Sequence, residues 1–170
     1  MLEKRVRVFA TKRFLVGSFI VLSALQLIMF VVLSDLSGGL VELQLAYSRE
    51  EFGRIIESWT PEQQAAYRRH FRYDFVYPIA YASFLCSSIA NLWLRHGLGS
   101  SRIPFVFLPW FAAAFDTAEN CFHLLLLDSE LSGSLVLSGA LCATCKWLLL
   151  VVSLLTIMAL LVRRNQQSRN

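Results

Sequence analysis

Residues 14–34 read FLVGSFIVLSALQLIMFVVLS, a run with no charge in which Ser18, Ser23, Gln26 and the terminal Ser34 are the polar interruptions. About 20 helical residues cross the roughly 30 Å of hydrocarbon in a bilayer. Backbone in hydrocarbon must satisfy its own hydrogen bonds, as a helix or a closed barrel. The run lacks barrel-type alternation, so it predicts a membrane helix. A basic stretch precedes it (Lys4, Arg5, Arg7, Lys12, Arg13), as in a signal peptide. Its apolar part is too long for a cleaved segment and no A-x-A-like site follows, so it reads as a retained span.

Working outward, three more stretches are long enough to span: residues 73–94, 103–127 and 133–162. The composition agrees. Hydrophobic residues are 56% of the 170 and charged residues 16%, against about 25% charged in soluble domains. That leaves too little polar surface to cover a water-facing globule. Disorder is excluded by the patterning, and four cysteines do not make a secreted disulfide scaffold. The expectation is an all-α, polytopic membrane protein: a single four-span domain over 1–170, folded as a four-helix transmembrane bundle.

Lys and Arg orient it. The N-terminus carries five, the loop after span two has Arg95 and Arg102, and the tail has Arg163, Arg164 and Arg169, giving ten on one side. The first loop carries five (Arg49, Arg54, Arg68, Arg69, Arg72) and residues 128–132 none. Positive residues favour the cytoplasm, so both termini are predicted cytoplasmic, in a bacterial plasma (cell inner) membrane. The net charge of +4 then reflects topology and contact with anionic headgroups. The basic residues form no stripe, so no nucleic-acid partner is expected.

The first loop predicts an amphipathic helical segment over 48–72. Ser48-Arg49-Glu50-Glu51 reads as a capping box, and Phe52, Ile55, Ile56 and Trp59 follow on one helical face. Thr60-Pro61-Glu62-Gln63 is a second cap, with Pro at the first helical position. The second helix is expected to run on through Tyr67 and Phe71 into span two. The segment reads as an interfacial helix or as a lid over the spans, and both readings put Trp59 at the headgroup level.

Ionisable side chains inside a span cost several kcal/mol and point by default to function. In span three, Asp116, Glu119, Asn120 and His123 fall at i, i+3, i+4 and i+7, one helical face. In span two, Asp74, Tyr77, Tyr81, Ser88 and Asn91 form a seam that Phe84 interrupts. Span four adds Ser138, Cys142, Lys146 and Ser153, and span one Ser23 and Gln26. At about 1.5 Å per residue, Asp116 and Lys146 reach similar depths near mid-membrane, so Lys146 is predicted to pair with Asp116 or Glu119. His123 and Asp74 lie about a turn from the outer end, so the cluster is expected to open outward. Two carboxylates one turn apart repel, and one is expected to hold a proton, as a general acid needs.

These residues divide into roles. Asp116 and Glu119 are the catalytic acid/base candidates. Asp74, Tyr77, Tyr81, Asn120, His123 and Lys146 are the ligand-binding candidates. No metal and no cofactor are expected, because Glu119-x-x-x-His123 has a spacing of four and one histidine lies in the spans. The alternative is a charge network that only joins helices, aided by small-residue packing such as Ala114-x-x-x-Ala118.

Cys142-x-x-Cys145 in span four has a redox spacing. With four helices and a long first outer loop, it resembles in outline the vitamin K epoxide reductase-like enzymes. That resemblance implies an electron relay through a cysteine pair in the first outer loop, where this chain has none; the plain reading is four small apolar residues. An acid ahead of aromatics and Pro78 at the start of span two, with an outer amphipathic loop, resembles in outline the emopamil-binding family of sterol isomerases and sterol-binding proteins. This resemblance implies acidic residues inside the bundle that meet a lipidic substrate.

The expected function is therefore binding of a small lipid-like, isoprenoid- or sterol-like molecule in an intramembrane polar chamber, with acid/base chemistry as an extension. A non-catalytic membrane scaffold or subunit is the first alternative and an ion- or proton-coupled transporter component the second. The expected partners are membrane lipids and an apolar small-molecule ligand, with a homo-oligomer or membrane partner as a further option.

Overall fold

A computed structural model describes residues 2–34, 36, 39–96 and 100–167, and among these the chain is all-helical. Gly38, Gly97 and Gly99 between the helices, and Arg169 of the tail count, lie outside the described residues.

Helix α1 (Leu2–Phe9) ends two residues before Thr11, whose hydroxyl accepts from Phe14 N–H at 3.3 Å and starts α2 (Lys12–Val32). The 21 residues of α2, at about 1.5 Å each, match the hydrocarbon thickness of about 30 Å. The sequence reading placed basic residues but no helix before this span. Instead α1 docks on the protein: Val6 is buried with Trp93 and Leu160, and the Ser87 hydroxyl donates to Phe9 O at 2.6 Å.

Helices α3 (Leu40–Gln44), α4 (Arg49–Ser58) and α5 (Pro61–Asp74) fill the region between α2 and α6 (Tyr77–Arg95). Ser48 Oγ accepts from Glu51 N–H at 3.1 Å, as the capping pattern predicts, but the Glu51 carboxylate reaches past it to Tyr47 N–H at 3.3 Å. At Thr60 both arms of the box form, with Gln63 N–H to Thr60 Oγ1 at 3.3 Å and Thr60 N–H to Gln63 Oε1 at 2.9 Å. In this first turn the Glu62 carboxyl is held below its usual range, chiefly by its own backbone N–H and then by the Thr60 hydroxyl.

The apolar face of α4 is spent inside the protein. Phe52 and Trp59 are buried with Leu43, Tyr67, Phe71 and Leu126, and the Trp59 ring centroid lies 5.2 Å from that of Tyr67. Trp59 is thus a core residue.

The expected continuous helix from residue 61 into span two does not form. It breaks at Phe75–Val76, and α5 and α6 meet at 47°. Pro78, in the first turn of α6, is the cause: it has no N–H and its ring clashes with the carbonyl four residues earlier. That carbonyl belongs to Asp74.

A 3₁₀ segment, Ser100–Phe107, contains Pro104 and leads into α7 (Leu108–Asp128), which therefore starts five residues after the predicted 103. A short turn joins α7 to α8 (Gly133–Gln167), and these two antiparallel helices form the most extensive pairing in the molecule. Ala112 and Ala113 of α7 are buried with Tyr81, Ala82 and Leu85 of α6, and Ala140 and Ala143 of α8 are buried too, whereas Ala114 of the anticipated small-residue motif faces out. Arg68 of α5 ties down the end of α7, bonding Asp128 at 2.5 Å and Leu127 O at 2.9 Å.

Apolar side chains face outward on α2 and α8. Phe30 is 73% exposed, Val31 69% and Leu148 62%. Two helices, α2 and the Gly133–Arg163 part of α8, are long and apolar enough to cross a membrane, and the bent α5–α6 pair makes a third if it is one span. Helix α7 matches α2 in length, but Asp116, Glu119, Asn120 and His123 keep it from passing by composition.

Candidate functional site

The polar face of α7 is buried along its length: Asp116, Glu119, Asn120 and His123 are each at most 5% exposed. Each meets a different partner. Lys146 of α8 places Nζ 3.1 Å from Asp116 Oδ1 and 2.5 Å from Glu119 Oε2, so the depth-matched pairing expected from sequence occurs with both carboxylates. The second Glu119 oxygen, Oε1, is buried with no hydrogen-bond partner among the described residues.

Asn120 turns away from the charges. Its Nδ2 donates to Asp74 O at 3.1 Å, the carbonyl that Pro78 leaves free. An orphaned buried carbonyl costs about 1–3 kcal/mol, so Asn120 secures the break between α5 and α6. One turn further, His123 Nδ1 and the Tyr67 hydroxyl share a bond of 2.6 Å, with the Phe52 ring edge-on at 5.6 Å. Gly139 gives this imidazole room: a Cβ there would stand 3.2 Å from its ring.

A cleft of about 780 Å³ opens beside this cluster. Its polar wall holds Asp116, Lys146, Asp74, Tyr77, Tyr81 and His70, and its apolar wall includes Met29, Leu33, Leu40 and Leu150. Of the predicted residues, five therefore line the cleft, while Glu119, Asn120 and His123 sit behind its wall in contacts between helices. Tyr77 donates to Gln26 Oε1 at 2.5 Å, linking α6 to α2. The Tyr81 hydroxyl is buried on the wall next to the Asp116 carboxylate.

Leu40, Val41 and Gln44 of α3 also line the cleft. At its lips, Phe30 of α2 and Val151 and Leu154 of α8 are all more than half exposed.

His70 is the residue the sequence reading missed. It is 2% exposed on the cleft wall, with Nε2 3.5 Å from Asp74 Oδ2 and Nδ1 against Tyr67 O. A carbonyl only accepts, so Nδ1 carries a proton and Nε2 is the atom turned to the carboxylate. The i, i+4 spacing of His70 and Asp74 was the available signal. Among the described residues no group of His, Cys, Asp and Glu is arranged to hold a metal. Cys142 and Cys145 are free thiols one turn apart on α8, away from the cleft wall.

These features define an all-helical protein with two or three helices apolar enough to cross a membrane, consistent with a membrane protein, and a charged cluster in its interior. Neither protein-family models, nor curated proteins, nor solved structures give a match to the chain.

Proposed function

We propose that α2, α6, α7 and α8 form a four-helix transmembrane bundle, with both termini cytoplasmic in a bacterial inner membrane, that binds a small lipid-like molecule of isoprenoid or sterol character. The cleft carries this reading. Its volume of about 780 Å³ lies within the roughly 300–1,000 Å³ typical of small-molecule sites. It joins an apolar wall to one polar wall, and its lips would lie in hydrocarbon. A ligand can enter from the bilayer without crossing water.

The cleft wall also locates any acid/base step. Asp116, with the Tyr81 hydroxyl beside it, faces the space a ligand would fill, whereas Glu119 is paired to Lys146 behind it. Asp116 is therefore the residue to exchange a proton with the ligand, and Glu119 holds the lysine. The scaffold alternative draws on the same contacts, since Glu119, Asn120 and His123 each join α7 to a neighbour. It gives no use to the cleft.

The deciding experiment is mass spectrometry of the lipid extract from the purified protein, beside a Phe30→Trp, Leu154→Trp variant that narrows the lips. A co-purifying non-phospholipid species lost in the variant supports the proposal. An extract indistinguishable from bulk membrane lipid in both proteins refutes it.

A further inference from the structure

The charges around the cleft do not balance. Lys146 is the one buried Lys or Arg among the described residues. Three buried carboxylates face it or adjoin it: Asp116, Glu119 and Asp74. The imidazole paired with Asp74 adds at most one more positive charge. His123 bonds a hydroxyl and makes no ion pair among the described residues. With all three carboxylates ionised, one negative charge remains uncompensated if His70 is charged and two if it is neutral. An uncompensated buried charge is costly, because low dielectric strengthens the field it sets up.

The shape of the wall points the same way. Tyr81, 6% exposed, lines the cleft with its buried hydroxyl beside the Asp116 carboxylate. The Tyr77 and Tyr81 rings stand edge to face at 5.8 Å, and both line the cleft. Tyrosine faces attract cations, by about 0.5–1 kcal/mol at wet sites and more when desolvated. Lys146 does not repel a second cation strongly, because Asp116 and Glu119 both contact its Nζ.

We infer that the ligand's polar end is a cation, so that the cleft takes an amphiphile with an amine or quaternary ammonium head lying against Asp116, Tyr77 and Tyr81. This rests on the lipid-binding reading above and adds the head group to it. An anionic head is disfavoured by the same charge count.

The test compares probes of one tail length on the full chain in a neutral maltoside detergent, by titration calorimetry. The probes are dodecyltrimethylammonium, dodecanol, dodecanoate and lysophosphatidylethanolamine, whose amine is accompanied by a phosphate. Dodecyltrimethylammonium is expected to bind at least tenfold more tightly than dodecanol, with dodecanoate weakest and lysophosphatidylethanolamine no better than dodecanol. Asp116→Asn should cut the cation's affinity tenfold or more and leave dodecanol within threefold. Asp74→Asn carries the same comparison if Asp116→Asn does not fold. Equal binding of all heads, or tightest binding of dodecanoate, overturns the cationic head while leaving a lipid cleft. Tightest binding of lysophosphatidylethanolamine overturns it in favour of a phospholipid head. Absence of binding by every probe overturns this inference, and an extract without a specific lipid would then remove the lipid-binding reading as well.

Discussion

Replacing Lys146 by methionine keeps an unbranched side chain one atom shorter and removes its charge. Nζ now contacts Asp116 at 3.1 Å and Glu119 at 2.5 Å, with all three residues at most 5% exposed. Removing one partner of such a buried pair typically costs about 3–5 kcal/mol, because the other charge stays buried and unpaired. Here two carboxylates are left, so the upper part of that range is expected for Lys146→Met. For chains of this length each kcal/mol moves the melting temperature about 2–4 °C, which predicts a fall of about 8–20 °C in maltoside detergent, followed by circular dichroism. The triple variant Lys146→Met, Asp116→Asn, Glu119→Gln removes every charge while keeping similar volumes, and should recover to within about 1.5 kcal/mol of the parent. A Lys146→Met protein within about 1 kcal/mol of the parent would show that the ion pairs hold nothing. A triple variant no better than the single one would show that the loss is one of packing and not of charge.

Three further outcomes can be read by the same unfolding measurement. Asn120→Leu orphans the Asp74 carbonyl and should cost about 1–3 kcal/mol; adding Pro78→Ala restores a backbone N–H for that carbonyl and should recover at least half. Gly139→Ala places a methyl group 3.2 Å from the His123 ring and should destabilise by about 1–3 kcal/mol through overpacking, an effect that His123→Ala abolishes. Thr60→Ala removes one arm of the box that starts α5, for a loss of about 1 kcal/mol.

Helix positions were legible because apolar runs and caps are local signals. The Thr60 box formed with both arms, and α2 lies within two residues of its predicted ends. The pairing of Lys146 was also legible, since the short connection between α7 and α8 forces equal depths. The break before α6 was missed although Pro78 stands four residues after Asp74, because the apolar pattern continues across it. The fate of α4 was left between two readings for another reason: a one-sided apolar face states that something covers it, not whether that is lipid or Leu43, Tyr67 and Leu126. His70 went unread because it lies outside the spans, and only the bend carries it to the cleft wall.

The partition of the α7 face explains why one stripe both joins helices and lines a chamber. Residues at i, i+3, i+4 and i+7 fall within an arc of about 100°. Glu119 and Asn120 occupy its two edges, and each bonds the neighbour on its own side: Lys146 of α8 and the Asp74 carbonyl at the end of α5. Asp116 and His123 occupy the middle and face the gap between those neighbours. At the level of His123 the gap is closed, because the bend at Pro78 swings α5 across and delivers Tyr67 to the imidazole, while Gly139 lets α8 approach. At the level of Asp116 the Lys146 side chain reaches in from α8, and both residues line the cleft. The same proline that breaks the helix thus decides which of two equivalent polar residues is structural and which is left facing open space. A chain that needed its charges only for helix association could have closed both levels alike.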